Sequence, residues 1–225
     1  MRVGVAGPIE IDLLKEYLYQ KHHTAADFVN GLGGSQVTQI VREYLSLGLK
    51  VTVYTLDNKV HEGQRVELFG DDLTILVGPF RPGRRVIFDC QSVERRALLR
   101  FMLDDRPDVI HAHWTYEYAQ AAIGSGFPHV ITVRDWAPAI LRLMPKPYRV
   151  MRLMINHKTL KQANSLTANS PYIAKKLKRF YNLDVPVVAN GVMDQQFYDR
   201  PKWLKKKSNV IVSISNGFGK IKNVS

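Results

Sequence analysis

Cysteine is almost missing from this chain: Cys90 is the single thiol in 225 residues. No intramolecular disulfide can form, and a reducing, cytoplasmic compartment is the natural setting. Long apolar runs are also missing. No stretch approaches the ~18 residues of a membrane-spanning helix. The opening Met-Arg-Val-Gly-Val reads as a buried strand, because no signal-peptide core follows it. Acidic residues are in short supply, with 20 Asp and Glu against 32 Lys and Arg and a net charge of +12. Such an excess draws anions: nucleic acid, acidic lipid or a phosphorylated substrate, and composition does not choose among them. A highly charged soluble surface fits the same numbers. Helix-turn-helix, aromatic RNA-binding and zinc-finger signatures are lacking, so no specific nucleic-acid partner is expected. What remains, 45% hydrophobic and 23% charged, is the composition of a folded globular domain.

Short β-branched apolar runs alternate with longer amphipathic ones. Strands are expected at 2–6, 50–55, 73–77, 109–112, 129–133, 165–168, 185–188 and 210–214. Several are hydrophobic throughout, as strands covered on both faces are. Val37, Ile40, Val41, Tyr44 and Leu45 recur at helical spacing and define one buried stripe. A second helix is expected over 91–105, and a third begins at Ser170-Pro171, where serine caps and proline takes the first turn. A short helix over 12–19 is expected within the long segment after the first strand. This alternation predicts a doubly wound, mostly parallel, Rossmann-like α/β sheet. The domain is expected to span 1–205. The basic, irregular stretch before a fresh strand at 210–214, followed by Gly217 and Gly219, reads as the start (206–225) of a truncated second domain.

Five segments carry chemistry-bearing residues. Gly31-Leu32-Gly33-Gly34-Ser35 precedes the first amphipathic helix, where glycines permit close backbone approach and the helix start offers free N–H groups to an anion. The same glycines also suit a plain turn-rich linker. His111 and His113 alternate along one strand and share a face, with Trp114 just beyond. Without a third ligand at a suitable spacing they suggest ligand contact, not metal, and His111 also suits a locally hydrogen-bonded core position. Arg134-Asp135 ends the next strand, where Arg134 can clamp a phosphate and Asp135 can accept from a sugar hydroxyl; an internal structural pair is the plainer alternative. Finally, 138–161 and 175–179 mix apolar with basic residues. The plainer reading is core-facing helices with a solvated basic edge, the other a peripheral contact with the inner face of an anionic membrane.

Taken in order, Gly33-Gly34, 107–113, 132–135, 168–170, Val188-Ala189-Asn190-Gly191-Val192 with Phe197, and 212–214 leading to Lys222-Asn223 resemble the retaining GT-B glycosyltransferases (family-4-like, group 1). The resemblance implies the N-terminal, acceptor-side half of a GT-B fold, in a parent that moves a sugar from a nucleotide-sugar donor to a saccharide or lipid-linked acceptor with retention. It implies no metal and no other cofactor, and a role in polysaccharide biosynthesis. Gly33, Gly34 and Lys222 would meet the donor phosphates, Lys222 neutralising the leaving diphosphate. His111, His113, Trp114, Asn190 and Gly191 would line the acceptor cleft, and Arg134 and Asp135 would be catalytic. Two positions depart from the family: it usually has histidine where Arg134 stands, and arginine where Asn216 stands, with Lys220 close by. A chain without the donor half is expected to be inactive alone. A non-catalytic sugar-binding relative, or a basic domain for nucleic acid or membrane, is the competing reading.

Overall fold

The computed structural model describes residues 1–191. The expectations at Val192, Phe197, 210–214, Asn216, Gly217, Gly219, Lys220, Lys222, Asn223 and the second-domain start fall outside them.

Seven strands form one sheet: β1 (Arg2–Ala6), β2 (Lys50–Asp57), β3 (Val66–Phe69), β4 (Leu73–Pro79), β5 (Val109–His113), β6 (His129–Val133) and β7 (Leu166–Ala168). Their order across the sheet is β3-β4-β2-β1-β5-β6-β7. All neighbours run parallel except β3, which pairs antiparallel to β4 at the edge. The doubly wound expectation is met. Eight helices of the α type complete the described chain: α1 (His23–Phe28), α2 (Ser35–Ser46), α3 (Arg85–Phe88), α4 (Ser92–Asp105), α5 (Glu117–Ser125), α6 (Ala137–Leu143), α7 (Pro147–Gln162) and α8 (Pro171–Tyr181).

Several boundaries differ from the sequence reading, each for a local reason. The segment at 12–19 is a tighter 3₁₀ turn over Ile11–Tyr17, fixed by burial of Ile11 and Leu14. The helix expected from residue 91 starts at Ser92, because Gln91 adopts a left-handed conformation at φ 58°. The strand expected over 185–188 makes only a single parallel bridge, Val187 to Ala168 at the end of β7. At the start of α8 the reading holds: Ser170 caps the helix by accepting from the Ile173 N–H, and Pro171 opens it.

Side-chain alternation gives the sheet two apolar faces. Val3, Val5, Val51, Val53 and Ile75 pack with Val37 and Val41 of α2 on one side. Ala6, Tyr54, Leu56, Ile110 and Ala112 pack with Leu98, Phe101 and Met102 of α4 and Ala119 and Ala122 of α5 on the other. Because the chain builds outward from β1 through β2 and β4, then returns through α4 to lay β5 on the opposite edge of β1, the winding reverses between β1 and β5. The carboxyl ends of those two strands therefore flank an open crevice, where doubly wound sheets bind ligands.

The segment after β1 is folded back over that crevice. Gly31 (φ 77°) donates its N–H to Asp57 Oδ2 at 2.7 Å, and a Cβ on it would stand 2.2 Å from the Ile9 carbonyl oxygen. Gly33 (φ 76°) has nothing within 4 Å of its notional Cβ. Gly31→Ala should thus add a backbone clash to the ~1–2 kcal/mol left-handed penalty that Gly33→Ala incurs alone. Urea unfolding should show Gly33→Ala losing about 1–2 kcal/mol and Gly31→Ala at least about 3 kcal/mol; equal losses would contradict the packing.

Candidate functional site

The crevice is assembled from strand ends. At β1, Gly7 leaves room for the His113 ring: a Cβ there would lie 3.3 Å from His113 Cβ and Cδ2 and from Val37. At β2, Asp57 is buried and accepts from the N–H groups of Gly31 and Lys59, at 2.7 and 2.8 Å. It pins the glycine segment. Gly34 (φ 112°) packs with its notional Cβ 2.2 Å from the Pro8 carbonyl oxygen and stands at the start of α2 with no capping side chain. Gly34 is thus required by backbone packing, whereas Gly33 is the glycine open to an approaching ligand.

His111 and His113 share one face, as expected, with ring centroids 4.1 Å apart. Their circumstances differ. His111 has both ring nitrogens occupied: Nδ1 lies 2.9 Å from the Tyr44 hydroxyl and Nε2 lies 2.8 Å from Thr132 Oγ1, which in turn meets Thr167 Oγ1. Burial, helped by the Arg134 charge, holds its pKa down to about 4. His111 is a structural member of the α2 face and not a free ligand group.

His113 is fully buried, and its Nδ1 accepts from Arg134 Nε–H at 3.1 Å. Burial above all, then the neighbouring His111 and Arg134, keeps its pKa well below the usual histidine value. The ring is therefore neutral, and with Nδ1 accepting, its proton sits on Nε2. That Nε2–H has no partner among the described residues. Buried donors ordinarily have partners, so this one is an exception within the cluster.

Arg134 is the hub. Besides His113 it donates through Nη1 to Asn190 Oδ1 at 2.7 Å, its guanidinium lies 5.7 Å from the Trp114 ring, and Asn169 Nδ2 donates to its carbonyl at 3.4 Å. Burial lowers its pKa to about 10, so it remains cationic at neutral pH. Trp114 itself sits at φ 62°, a left-handed conformation that a bulky residue rarely keeps. Such strain costs about 1–3 kcal/mol and persists where the surroundings over-determine it. The structure thus brings His113, Trp114, Arg134, Asn190 and the adjoining Gly191 into one cluster.

Asp135 is turned elsewhere. Both its carboxylate oxygens accept from the Tyr116 hydroxyl, at 2.9 and 3.0 Å, and burial raises its pKa. Tyr116 in turn carries the Arg152 guanidinium 3.4 Å from its ring centroid, and Arg152 bonds Glu117 at 2.8 Å. Arg134 and Asp135, adjacent in sequence, serve two separate networks and do not pair with each other. Asp57 and Tyr116 went unread in the sequence, and Arg152 stood there only as one of the basic residues of 138–161. No local pattern marks them, since each acts through a partner distant along the chain. Lys222 lies outside the described residues. Among those residues no group of three potential metal ligands gathers.

The family model described as Glycosyltransferase Family 4 matches residues 33–196. The chain belongs to this glycosyltransferase family. Comparison with curated protein sequences gives no match. Among solved structures, this chain is similar to a sucrose-phosphate synthase from Thermosynechococcus elongatus. The two share 12% identity and a TM-score of 0.57, over 84% of this chain and 47% of that one. A second similar structure, described as trehalose-6-phosphate from E. coli bound with UDP-2-fluoro glucose, gives 11% identity and a TM-score of 0.46, over 76% of this chain and 40% of that one. This chain thus spans about half the length of the solved structures it matches. The likeness is one of fold, a Rossmann-like half of GT-B type.

The buried His111 makes stability depend on pH. Its folded pKa, about 4, lies below the unfolded value near 6.5, so the unfolded chain binds the extra proton between the two. Stability is complete above pH ~6.5 and falls as pH drops toward 4, with a slope of up to ~1.4 kcal/mol per pH unit from this residue. His111→Gln, titrated by urea unfolding from pH 7 to 4.5, should show a shallower slope than the parent chain.

Proposed function

We propose that this chain is the acceptor-side half of an enzyme that moves a sugar from a nucleotide-sugar donor to a saccharide or lipid-linked acceptor, with retention at the anomeric carbon. Family membership supports sugar transfer. The observation that carries the site assignment is the cluster at the winding reversal, where the cationic Arg134 is fixed by the buried His113 and by Asn190.

The chemistry follows from charge. Breaking the bond between the anomeric carbon and the diphosphate builds negative charge on the leaving group, and fixed cations and N–H donors aimed there lower the barrier. Arg134, held by His113 and Asn190, supplies one such cation without needing to reorganise. Gly33 and the free N–H groups at the start of α2 supply donors for phosphate oxygens. Arg134 is the fixed cation that this arrangement offers to that charge. Asp135, tied to Tyr116, acts as a positioning residue that holds the turn carrying Arg134.

Arg134 also motivates the second reading, a relative that binds sugars without transferring them, since the family usually places histidine there. A panel of UDP-, GDP- and ADP-sugars, tested on the protein that joins this chain to its donor half, separates the two. Transfer should release nucleoside diphosphate with at least one donor, and Arg134→Ala should lower kcat/KM by about 100-fold. NMR of the product should show the donor's anomeric configuration. Donor binding with neither transfer nor hydrolysis across the panel would establish the second reading instead.

A further inference from the structure

Between Asp135 and Asp184 the chain carries ten lysines and arginines and no acidic residue. That stretch forms α6, α7, β7 and α8. The last residues of α8 are Phe180 and Tyr181, and Asn182 turns the chain out of the helix at φ 54°. On α7, His157 and Lys161 lie one helical turn apart and share a face. Trp136, just before α6, packs with Leu160 of α7 and Leu177 of α8. Its ring lies 5.4 Å from Phe180 and 6.1 Å from Tyr181 between centroids. These side chains and Arg179 wall a pocket of about 820 Å³ that has no acid in its lining. The size is that of a small-molecule site. His113, Trp114, Arg134 and Asn190 of the crevice take no part in it.

The rings stand at angles to one another. Trp136 is tilted 37° to Phe180 and 86° to Tyr181, and His157 is tilted 51° to Tyr181. None of these pairs is parallel, so they do not clamp a flat base from both sides. They form a concave apolar wall, which suits a puckered sugar ring with C–H groups on its faces. The Tyr181 hydroxyl and His157 Nδ1, 3.3 Å apart, give that wall a polar edge for sugar hydroxyls. Lys161 and Arg179 are exposed cations in the same lining. Their charge repels a quaternary ammonium, the other ligand that tilted aromatic rings favour. Asp184, the nearest acid after α8, is not in the lining and pairs with Lys178 at 3.3 Å.

We propose that this pocket is a second saccharide site, separate from the crevice, and that it takes an anionic glycan. Sugar rings lie against Phe180 and Tyr181 with the Trp136 edge as the floor, while Lys161 and Arg179 hold carboxylate or phosphate groups on the glycan. Trp136 joins the pocket to the crevice. Its backbone follows the Arg134-Asp135 turn, and its carbonyl accepts from the N–H groups of Ala139 and Ile140 at 3.0 and 3.2 Å. A glycan held here keeps the enzyme on a growing polymer between transfers. Only that use rests on the transfer reading; the binding itself does not.

The test is calorimetric titration of the chain with tetragalacturonate, phosphorylated maltotetraose and plain maltotetraose. At least one anionic saccharide should bind, and by about 10-fold or more over plain maltotetraose. Which of the two binds tells carboxylate from phosphate. Lys161→Gln/Arg179→Gln should weaken that binding by about 10-fold or more, because charge-assisted hydrogen bonds are lost. Phe180→Ala should weaken it by about fivefold through lost ring contact. The control Lys158→Gln/Lys175→Gln removes the same charge from exposed bases of the same two helices outside the lining. It should move binding less than about twofold. Every substituted side chain is exposed, and unchanged urea midpoints would show that folding is intact.

No binding of either anionic saccharide, equal binding of plain maltotetraose, or a control as damaging as Lys161→Gln/Arg179→Gln would overturn the proposal. So would binding lost in Arg134→Ala and kept in Phe180→Ala, which would put the glycan in the crevice. Tighter binding of UMP that Phe180→Ala abolishes would assign the pocket to a nucleotide instead. Because no sugar donor enters this measurement, its failure leaves the transfer reading standing, and failed transfer leaves the glycan site standing.

Discussion

A strand covered on both faces and paired along both edges has no room for free polar groups along its length. β1 is such a strand, with β2 and β5 on its edges and apolar layers from α2 on one face and from α4 and α5 on the other. Polar chemistry can appear only past its carboxyl end, where the winding direction changes and the helices diverge. Everything functional in the described chain follows from that restriction. Gly7, the folded-back glycine segment, Asp57, His113, Trp114 and Arg134 lie at or just beyond the ends of β1, β2, β5 and β6. Asn190 reaches the same place from the far edge through Arg134.

The cluster uses desolvation as its main lever. Burial keeps His113 and His111 neutral and would also discharge a poorly held cation, yet Arg134 retains its proton at neutral pH. Two neutral rings next to one guanidinium avoid the repulsion that a charged histidine would bring. The hydrogen bond from Arg134 then fixes which nitrogen of His113 carries the proton. Orientation and protonation state are thereby set by one contact. A second network, Asp135–Tyr116–Arg152–Glu117, is kept apart from the first and braces the turn between β6 and α6 from behind.

How much of this was legible in the sequence depended on how local each signal is. Alternation placed His111 and His113 on one face before any coordinates, and the Ser170-Pro171 pair located the start of α8. Neighbours in sequence settle both. The antiparallel β3 was missed because Val66–Phe69 is short and gains its register only from β4. Helix α5 was missed because Glu117–Ser125 is largely small and buried, without a polar stripe to give it a period. The strand expected over 185–188 shrank to one bridge, because it meets β7 only at its last residue, Ala168. At the site, Arg134 and Asp135 were seen as a pair; their division between two networks is set by Tyr116 and His113, each about twenty positions away. Spacing in sequence gives no access to that.

Arginine at position 134 changes what surrounds it. A histidine there would be shorter, and buried as Arg134 is, it would tend to be neutral. It could not reach both His113 and Asn190 through separate N–H groups in a fixed fork, as the guanidinium does. Arginine therefore does two jobs at once: it closes the gap between β5 and the segment at Asn190, and it delivers a permanent positive charge to the crevice. The first job is structural, and it immobilises the second. A cation held by two partners and placed beside an aromatic ring acts on an arriving diphosphate without first losing side-chain freedom. The departure from the family's usual histidine thus makes the crevice more strongly positive, in keeping with a chain whose basic excess is concentrated on the strands and helices that follow Arg134.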